Sequence, residues 1–527
     1  KSIAGAEVRS IDYFDRGHDL DPARTALVDV AAGERLTFAE VKARTERIAA
    51  ALYAAGFENQ QPVALYGPNS AAIMVALLAI WRANGVWVPV NTRNAIDANA
   101  AYLNYVHCGW LFYHSSMADD VAALRARVPG LTNIICLDRR IGDDPSLEDF
   151  VAATPPVPLP DFSDPFGAPD GVVGLFPTGG TTGPSKGVVV TNLGWGTMLE
   201  TLGAAIGGDV DNPISLVVAP VTHAAGPVAL GTLALGATQV ILPGFDADAV
   251  LRTIAEYSVT HMYLPPTALY GLLGSPELGR QDTSSLRFFI LVGSPVSPEK
   301  LRQAVEAFGP CMCQAYGQVE SPMITTWLPP EIVAAAAAGD HPERLASCGR
   351  ATRSVQIGIM DDEGRLLPDG ERGEIVVRGV LVSKEYFELP EATAEARTFG
   401  WHHTGDVAYR DAQGFFYIVD RKKDMVVSGG FNVFTAEVEA AVTELPEIRE
   451  CAVIGIPHDK WGEAVHAIVV ADGIGEEAII AHAKARLGGV KAPKSVAFVD
   501  AIPRTAAGKM DKKALRTEYW RSDRLVN

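Results

Sequence analysis

The stretch Phe176-Pro177-Thr178-Gly179-Gly180-Thr181-Thr182-Gly183-Pro184-Ser185-Lys186-Gly187 runs directly into Val188-Val189-Val190. Glycines free backbone amides, the hydroxyls donate hydrogen bonds, and the single lysine adds a cation, a set that suits a polyphosphate. A flexible surface loop would not need one lysine set between apolar segments. A Walker-type loop requires Gly-Lys followed by Ser/Thr and then a helix. Here Gly187 and a β-branched run follow Lys186. The expected arrangement is therefore strand, loop, strand, with phosphates beneath a hairpin tip instead of on a helix dipole.

Outward from this loop the hydrophobic pattern alternates between helical and strand periods. Thr37 precedes an apolar-periodic helix over 41–55 that Gly56 stops, and residues 62–66 read as a strand. Asn69-Ser70 cap a second apolar helix, 71–83, and residues 85–90 read as another strand. The same rhythm recurs over 215–243 and 251–264, so the first 420 or so residues are expected to form α/β layers with parallel strands. Residues 334–338 read as a short exposed helix and 155–160 as a proline-rich linker. Beyond Gly364, short apolar runs between Gly/Asp turns, 373–379 and 414–419, predict hairpins and a small β lobe. After Asp420 a βαβ pattern returns, with helix 435–445, strand 450–456 and helix 476–487. The fold class is α/β: a large multi-lobed N-terminal domain, 1–422, of layered lobes plus a small β lobe, followed by a smaller α+β domain, 423–527.

Composition narrows the ligand. At 527 residues the chain exceeds one ordinary core, and 48% hydrophobic with 20% charged residues is globular composition. A formal charge of −18 repels a phosphate backbone, so nucleic acid is excluded as a partner and an anionic ligand needs a local site. The six cysteines are scattered, and Cys311-Met312-Cys313 is a poor spacing for zinc or redox work, so reduced, buried thiols are expected. The stretch KSIAGAEVRS lacks an apolar signal core, and Arg82 halts the run 71–81 well short of a membrane span. A soluble, cytoplasmic protein with no transmembrane segment is expected; a homodimer stays open.

Further motifs follow the loop in order: Gly293-Ser294-Pro295, Gln314-Ala315-Tyr316-Gly317-Gln318-Val319-Glu320, Trp401-His402-His403-Thr404-Gly405-Asp406, Asp420-Arg421-Lys422-Lys423-Asp424 with Ser428-Gly429-Gly430, and 503–509. With these the chain, over about 25–516, closely resembles the adenylate-forming (AMP-binding) superfamily of acyl-CoA synthetases, luciferases and peptide-synthetase adenylation domains. The resemblance implies ATP, Mg²⁺ and CoA as cofactors and a small carboxylic acid as substrate. It implies that Thr178, Gly179, Gly180, Thr181, Thr182, Gly183 and Lys186 hold phosphates, that Gly293, Ser294 and Pro295 contact adenine, and that Gln314, Ala315, Tyr316 and Gly317 belong to the nucleotide motif. Tyr316 offers a stacking face. Thr181 and Glu320 are implied around Mg²⁺, a carboxylate-and-phosphate ion. Asp406 and Arg421 are implied at the ribose, His223 at the carboxylate pocket, and Lys509 as the catalytic lysine. Lys423 would be the hinge about which a mobile C-terminal domain swings, and Ser428, Gly429 and Gly430 would line the thiol tunnel. Val319 stands where members usually carry Thr, which removes a hydrogen bond of about 1 kcal/mol, and Thr435 stands where proline is common.

The implied activity is a two-step carboxylic acid:CoA ligase reaction through an acyl-adenylate. An apolar acid, aliphatic, aromatic or alicyclic, is expected because Ala224, Ala225 and Gly226 beside His223 leave room and no charge. Ala224 also stands where amino-acid-activating modules carry an aspartate, which disfavours that alternative. A luciferase-like monooxygenase shares the motifs and would be revealed by light emission.

Overall fold

A computed structural model describes residues 9–155, 157–160, 171–178, 185–208, 210–222, 224–428, 431–458, 461–505 and 509–521. The described residues fall into two compact units, one within 9–178, 185–356 and 377–397, the other within 357–376 and 398–521.

In unit 1 the expected α/β layers are present as two sheets. One runs in the order Glu385–Tyr386, Gly187–Thr191, Val172–Pro177, Val86–Pro89, Pro62–Tyr66, Trp110–Tyr113, Asn133–Cys136. The other, within this unit, runs Gly349–Ala351, Ser321–Leu328, Met312–Gln318, Phe288–Leu291, His261–Leu264, Ile214–Val217, Thr238–Ile241, Thr25–Asp29, Glu34–Thr37. Its central strands pair in parallel, and Phe289 and Ile290 are fully buried, as covered parallel strands require.

Local chemistry explains the helices. Thr37 and Glu40 make a reciprocal capping box on the helix Phe38–Ala54, with the Thr37 N–H donating to Glu40 Oε2 at 2.7 Å. Ser70 Oγ caps Ala71–Arg82, and Asp29 accepts the Ala71 N–H at 2.9 Å, placing a carboxylate at a helix start. The stretch read as a short exposed helix belongs to Pro330–Ala337, which buries Pro330, Val333 and Ala336; it is amphipathic, because the alanine run hides its three-residue spacing.

Unit 2 contains the expected hairpins. Its strands follow the order Val355–Met360, Gly373–Gly379, His402–Arg410, Phe415–Arg421, the first two having their larger parts here. The C-terminal part differs from the βαβ reading. Ile448–His458 pairs antiparallel with Gly462–Ala471, a strand the sequence pattern did not separate, and Ser495–Phe498 adds in parallel. Side chains alternate across this sheet. Cys451, Val453, Val465, Ala467 and Val469 pack against Thr435–Val442 and Glu476–Leu487, whereas Ala452, Ile454, Ile468 and Val470 pack with Leu515 of Lys512–Arg521.

The cysteines are free, all but the partly exposed Cys348 buried; burial pushes the Cys311 thiol up to about 12. Among the described residues no helix is long and apolar enough to cross a membrane.

Candidate active site

Val172–Pro177 and Gly187–Thr191 pair as an antiparallel hairpin in which Pro177 faces Gly187. Its neck is tied: the Thr178 N–H donates to the Lys186 carbonyl at 2.9 Å, and the Lys186 N–H donates to Thr178 Oγ1 at 3.1 Å. The strand, loop, strand expectation holds. Gly179, Gly180, Thr181, Thr182 and Gly183 lie outside the described residues, as do His223, Gly429 and Gly430.

Lys186 Nζ sits 4.7 Å from the centroid of the Tyr386 ring, a cation–π contact. Tyr386 belongs to the edge strand Glu385–Tyr386, where it faces Val188. Its hydroxyl donates to Glu320 Oε1 at 2.8 Å. Burial first, and then the Glu320 charge, hold the phenol well above its ordinary range, so it stays a donor. One side chain thus joins Lys186 and Glu320. Tyr386 is not marked in the sequence, because the Lys384-Glu385-Tyr386 stretch carries no periodic signal.

Glu320 projects from a two-residue turn, Val319-Glu320, between Met312–Gln318 and Ser321–Leu328, with Gln318 facing Ser321. A register shift separates Tyr316 from Gln318, and a Cβ on Gly317 would stand 2.8 Å from the Met323 nitrogen and Ser321 oxygen, so glycine alone fits. Gln314 is buried and donates from Nε2 to the Ser347 carbonyl at 3.3 Å. Ala315 and Tyr316 are also buried on this strand, while Gly293, Ser294 and Pro295 form an exposed turn after the neighbouring parallel strand Phe288–Leu291. These residues gather at the C-terminal ends of adjacent parallel strands, where open α/β sheets present ligand crevices.

The donor chemistry fits a hard divalent ion that shares its coordination with phosphate. Among the described residues no group of three or more His, Cys, Asp and Glu side chains could hold a metal alone. Glu320 supplies a carboxylate already oriented through Oε1 by Tyr386, and one or two carboxylates plus phosphates and waters suffice for Mg²⁺.

In unit 2, Asp406 and Arg421 face each other across His402–Arg410 and Phe415–Arg421, with Arg421 Nε 3.0 Å from Asp406 Oδ1. Asp406 is 4% exposed and Arg421 is open. Gly405 has φ +72°, and its N–H donates to Glu374 Oε1 at 2.9 Å. Glu374 also meets His403 at 3.1 Å and Lys422 at 3.3 Å. Burial alone would raise its carboxyl, but these partners outweigh burial and hold it below the usual range. Glu374 thus fixes the turn that presents Asp406, a role the strand-like run around it concealed.

Lys509 belongs to the same electrostatic group. Burial first, then the Arg421 and Lys423 cations, pull its ammonium down to about 8, against the opposing pull of Asp406. Lys509 is exposed overall, with the Arg421 and Lys423 cations and the Asp406 carboxylate among its charged neighbours. Lys423 is depressed by burial and then by Arg421. Ser428 is buried at the end of Val426–Ser428, facing Phe431.

Thr435, the departure from proline, closes a buried network. Asp420 accepts from both the Thr435 N–H and its hydroxyl, and Lys512 Nζ lies 2.7 Å from Thr435 Oγ1 and 2.7 Å from Glu439 Oε1. A proline at 435 would remove two of these donors.

The model for the AMP-binding enzyme family matches residues 14–387, and that for the AMP-binding enzyme C-terminal domain matches 437–509. The medium/long-chain-fatty-acid–CoA ligase FadD8 of Mycobacterium tuberculosis is 43% identical over 67% of this chain, and the match spans 62% of that relative's length. Feruloyl-CoA synthase of Amycolatopsis sp is 36% identical over 92% of this chain and 94% of that protein. The crystal structure of ATP-bound MatB from Rhodopseudomonas palustris superposes with a TM-score of 0.87 at 30% identity, covering 98% of this chain and 99% of MatB. The chain therefore belongs to the AMP-binding enzyme family, alongside its acyl-CoA ligases.

Proposed function

We propose that this chain is an ATP-dependent carboxylic acid:CoA ligase that forms an acyl-adenylate and then an acyl-CoA thioester. The observation that supports the reading is the meeting of Lys186 and Glu320 at Tyr386, a cation and a carboxylate held by one side chain, as a phosphate and its divalent ion together would require. The relatives named for fatty and aromatic acids support the activity and leave the acid open.

A carboxylate is a poor acyl donor because its leaving group would be oxide. In the first half-reaction its oxygen attacks the α-phosphorus of ATP, the bond to the β-phosphate oxygen breaks, and pyrophosphate leaves. Lys186 and the backbone of 181–183 neutralise β- and γ-phosphate charge, and Glu320 with Thr181 holds Mg²⁺. Bound Mg²⁺ supplies charge neutralisation on the phosphate oxygens. Tyr316 stacks on adenine, Asp406 accepts the ribose hydroxyls, Arg421 forks onto ribose or phosphate, and His223 lines the carboxylate pocket. Lys509 bridges carboxylate and α-phosphate as charge develops. In the second half-reaction the CoA sulfur attacks the acyl carbon, its proton is lost and AMP departs. We assign 1–422 to the nucleotide-binding domain and 423–527 to the domain that turns at Lys423 between the two steps, withdrawing Lys509 and presenting Ser428, Gly429 and Gly430 to the thiol.

The direct test is AMP release across a panel of aliphatic, aromatic and alicyclic acids, with and without CoA. Turnover that requires both an apolar acid and CoA is expected; ATP–pyrophosphate exchange with none of them would refute the reading.

The depressed Lys509 gives a pH prediction. The protonated ammonium is the active form, so kcat/KM for adenylate formation should fall as pH rises through about 8. Lys509→Arg, whose side chain stays charged, should be slower but flat across that range. A wild-type profile with no decline near pH 8 contradicts the assignment.

A further inference from the structure

We infer that Tyr386 is a positioning residue that couples the phosphate lysine to the metal carboxylate. The inference rests on the nucleotide reading of Lys186 and Glu320 and adds a residue that reading does not include. Tyr386 uses its two chemical faces on two partners: the ring lies under Lys186 Nζ at 4.7 Å, and the hydroxyl donates to Glu320 Oε1 at 2.8 Å.

The backbone around it is tied to the same two elements. The Ser383 N–H donates to the Glu320 carbonyl at 2.7 Å, the Lys384 N–H to the Val189 carbonyl at 3.1 Å, and the Phe387 N–H to the Gly187 carbonyl at 2.7 Å. The Tyr386 N–H is held by Thr393 Oγ1 at 3.0 Å, and the Tyr105 hydroxyl donates to the Phe387 carbonyl. A short strand is thus stitched to the turn that carries Glu320 and to the strand that begins after Lys186. Lysine has a long stem with many rotamers, and a glutamate on a two-residue turn is free to rotate. Both are ordered by one rigid aromatic side chain, so less freedom is lost when nucleotide and metal arrive.

The two contacts separate experimentally. Tyr386→Phe keeps the ring and removes the hydroxyl, and Tyr386→Leu removes both. Mn²⁺ binding is followed by electron paramagnetic resonance on the full chain with a non-hydrolysable ATP analogue; analogue binding without metal is followed by calorimetry. Tyr386→Phe should weaken Mn²⁺ binding about tenfold, the scale of a hydrogen bond to a charged group, and leave metal-free analogue affinity within about twofold. Tyr386→Leu should weaken both. In Glu320→Ala, adding Tyr386→Phe should cost no further Mn²⁺ affinity, because the acceptor of the hydroxyl is already gone.

Wild-type Mn²⁺ affinity in Tyr386→Phe, or full additivity with Glu320→Ala, overturns the inference. So does a parallel loss of both ligands in Tyr386→Phe with a lowered melting temperature, the mark of a merely structural residue. If the wild type binds analogue and Mn²⁺ yet adenylates no acid, the ligase reading falls while Tyr386 keeps its role. If it binds neither, both fall.

Discussion

Lys509→Ala is expected to slow acyl-adenylate formation by about a hundred- to a thousandfold, the scale of removing one preorganised electrostatic partner from a developing charge. Thioester formation from preformed acyl-adenylate should change by less than about threefold, because the α-phosphate bond has already been made when the thiol attacks. The difference arises from the charge each step develops. Attack on phosphorus brings a carboxylate against a polyphosphate, and a cation between them is worth most there. Lys509 lies with Arg421, Lys423 and Asp406 in one charged group, which keeps its ammonium close to its titration point instead of permanently charged. Single-turnover rates for the two half-reactions, measured separately, check the prediction; equal losses in both would remove Lys509 from its assigned step.

The second large effect concerns stability. Lys512 is the cation that buried Asp420 and Thr435 share with partly buried Glu439, with only 13% of its side chain exposed and 2.7 Å to Glu439. Burial raises both carboxyls, and Lys512 opposes that rise. Lys512→Met keeps the stem volume and removes the charge, leaving both carboxylates without their cation. A loss of about 3 kcal/mol of local stability is expected, read as roughly hundredfold faster amide exchange in Ile448–His458 and Gly462–Ala471. The sign of its pH dependence follows from the raised carboxyls. A group whose folded pKa lies above its unfolded value favours the fold at low pH and loses that contribution as pH rises through the folded pKa. The deficit in Lys512→Met should therefore be larger at pH 8 than at pH 5. Unchanged exchange at both values would show that the network carries no net stability.

Much of this architecture is legible along the chain because it rests on local chemistry. The Thr37 and Ser70 caps, the stop at Gly56, and the strand, loop, strand setting of Lys186 depend on neighbours within a few residues, so periodicity and capping suffice to find them. The motif residues Glu320, Asp406, Arg421 and Lys509 were found by resemblance. What the motifs could not supply was the support behind them. Tyr386 reaches Glu320 across 66 positions, and Glu374 holds Gly405 across 31. The strand Gly462–Ala471 also escaped the reading, because its pairing with Ile448–His458 is an interaction of side-chain alternation over two strands and not a feature of either alone.

By itself the sequence determined the α/β class, the order of the motifs, and the family they define, since these follow from local periodicity, capping and residue type. Tertiary structure alone decided that Tyr386 joins Lys186 to Glu320, that Glu374 presents Asp406, and that Thr435 serves Asp420 and Lys512 where a proline could not. The physical reason is common to all three. Hydrogen bonds and charges act over a few ångströms of space, and the chain separation between their partners carries no signal of which distant residue will complete them.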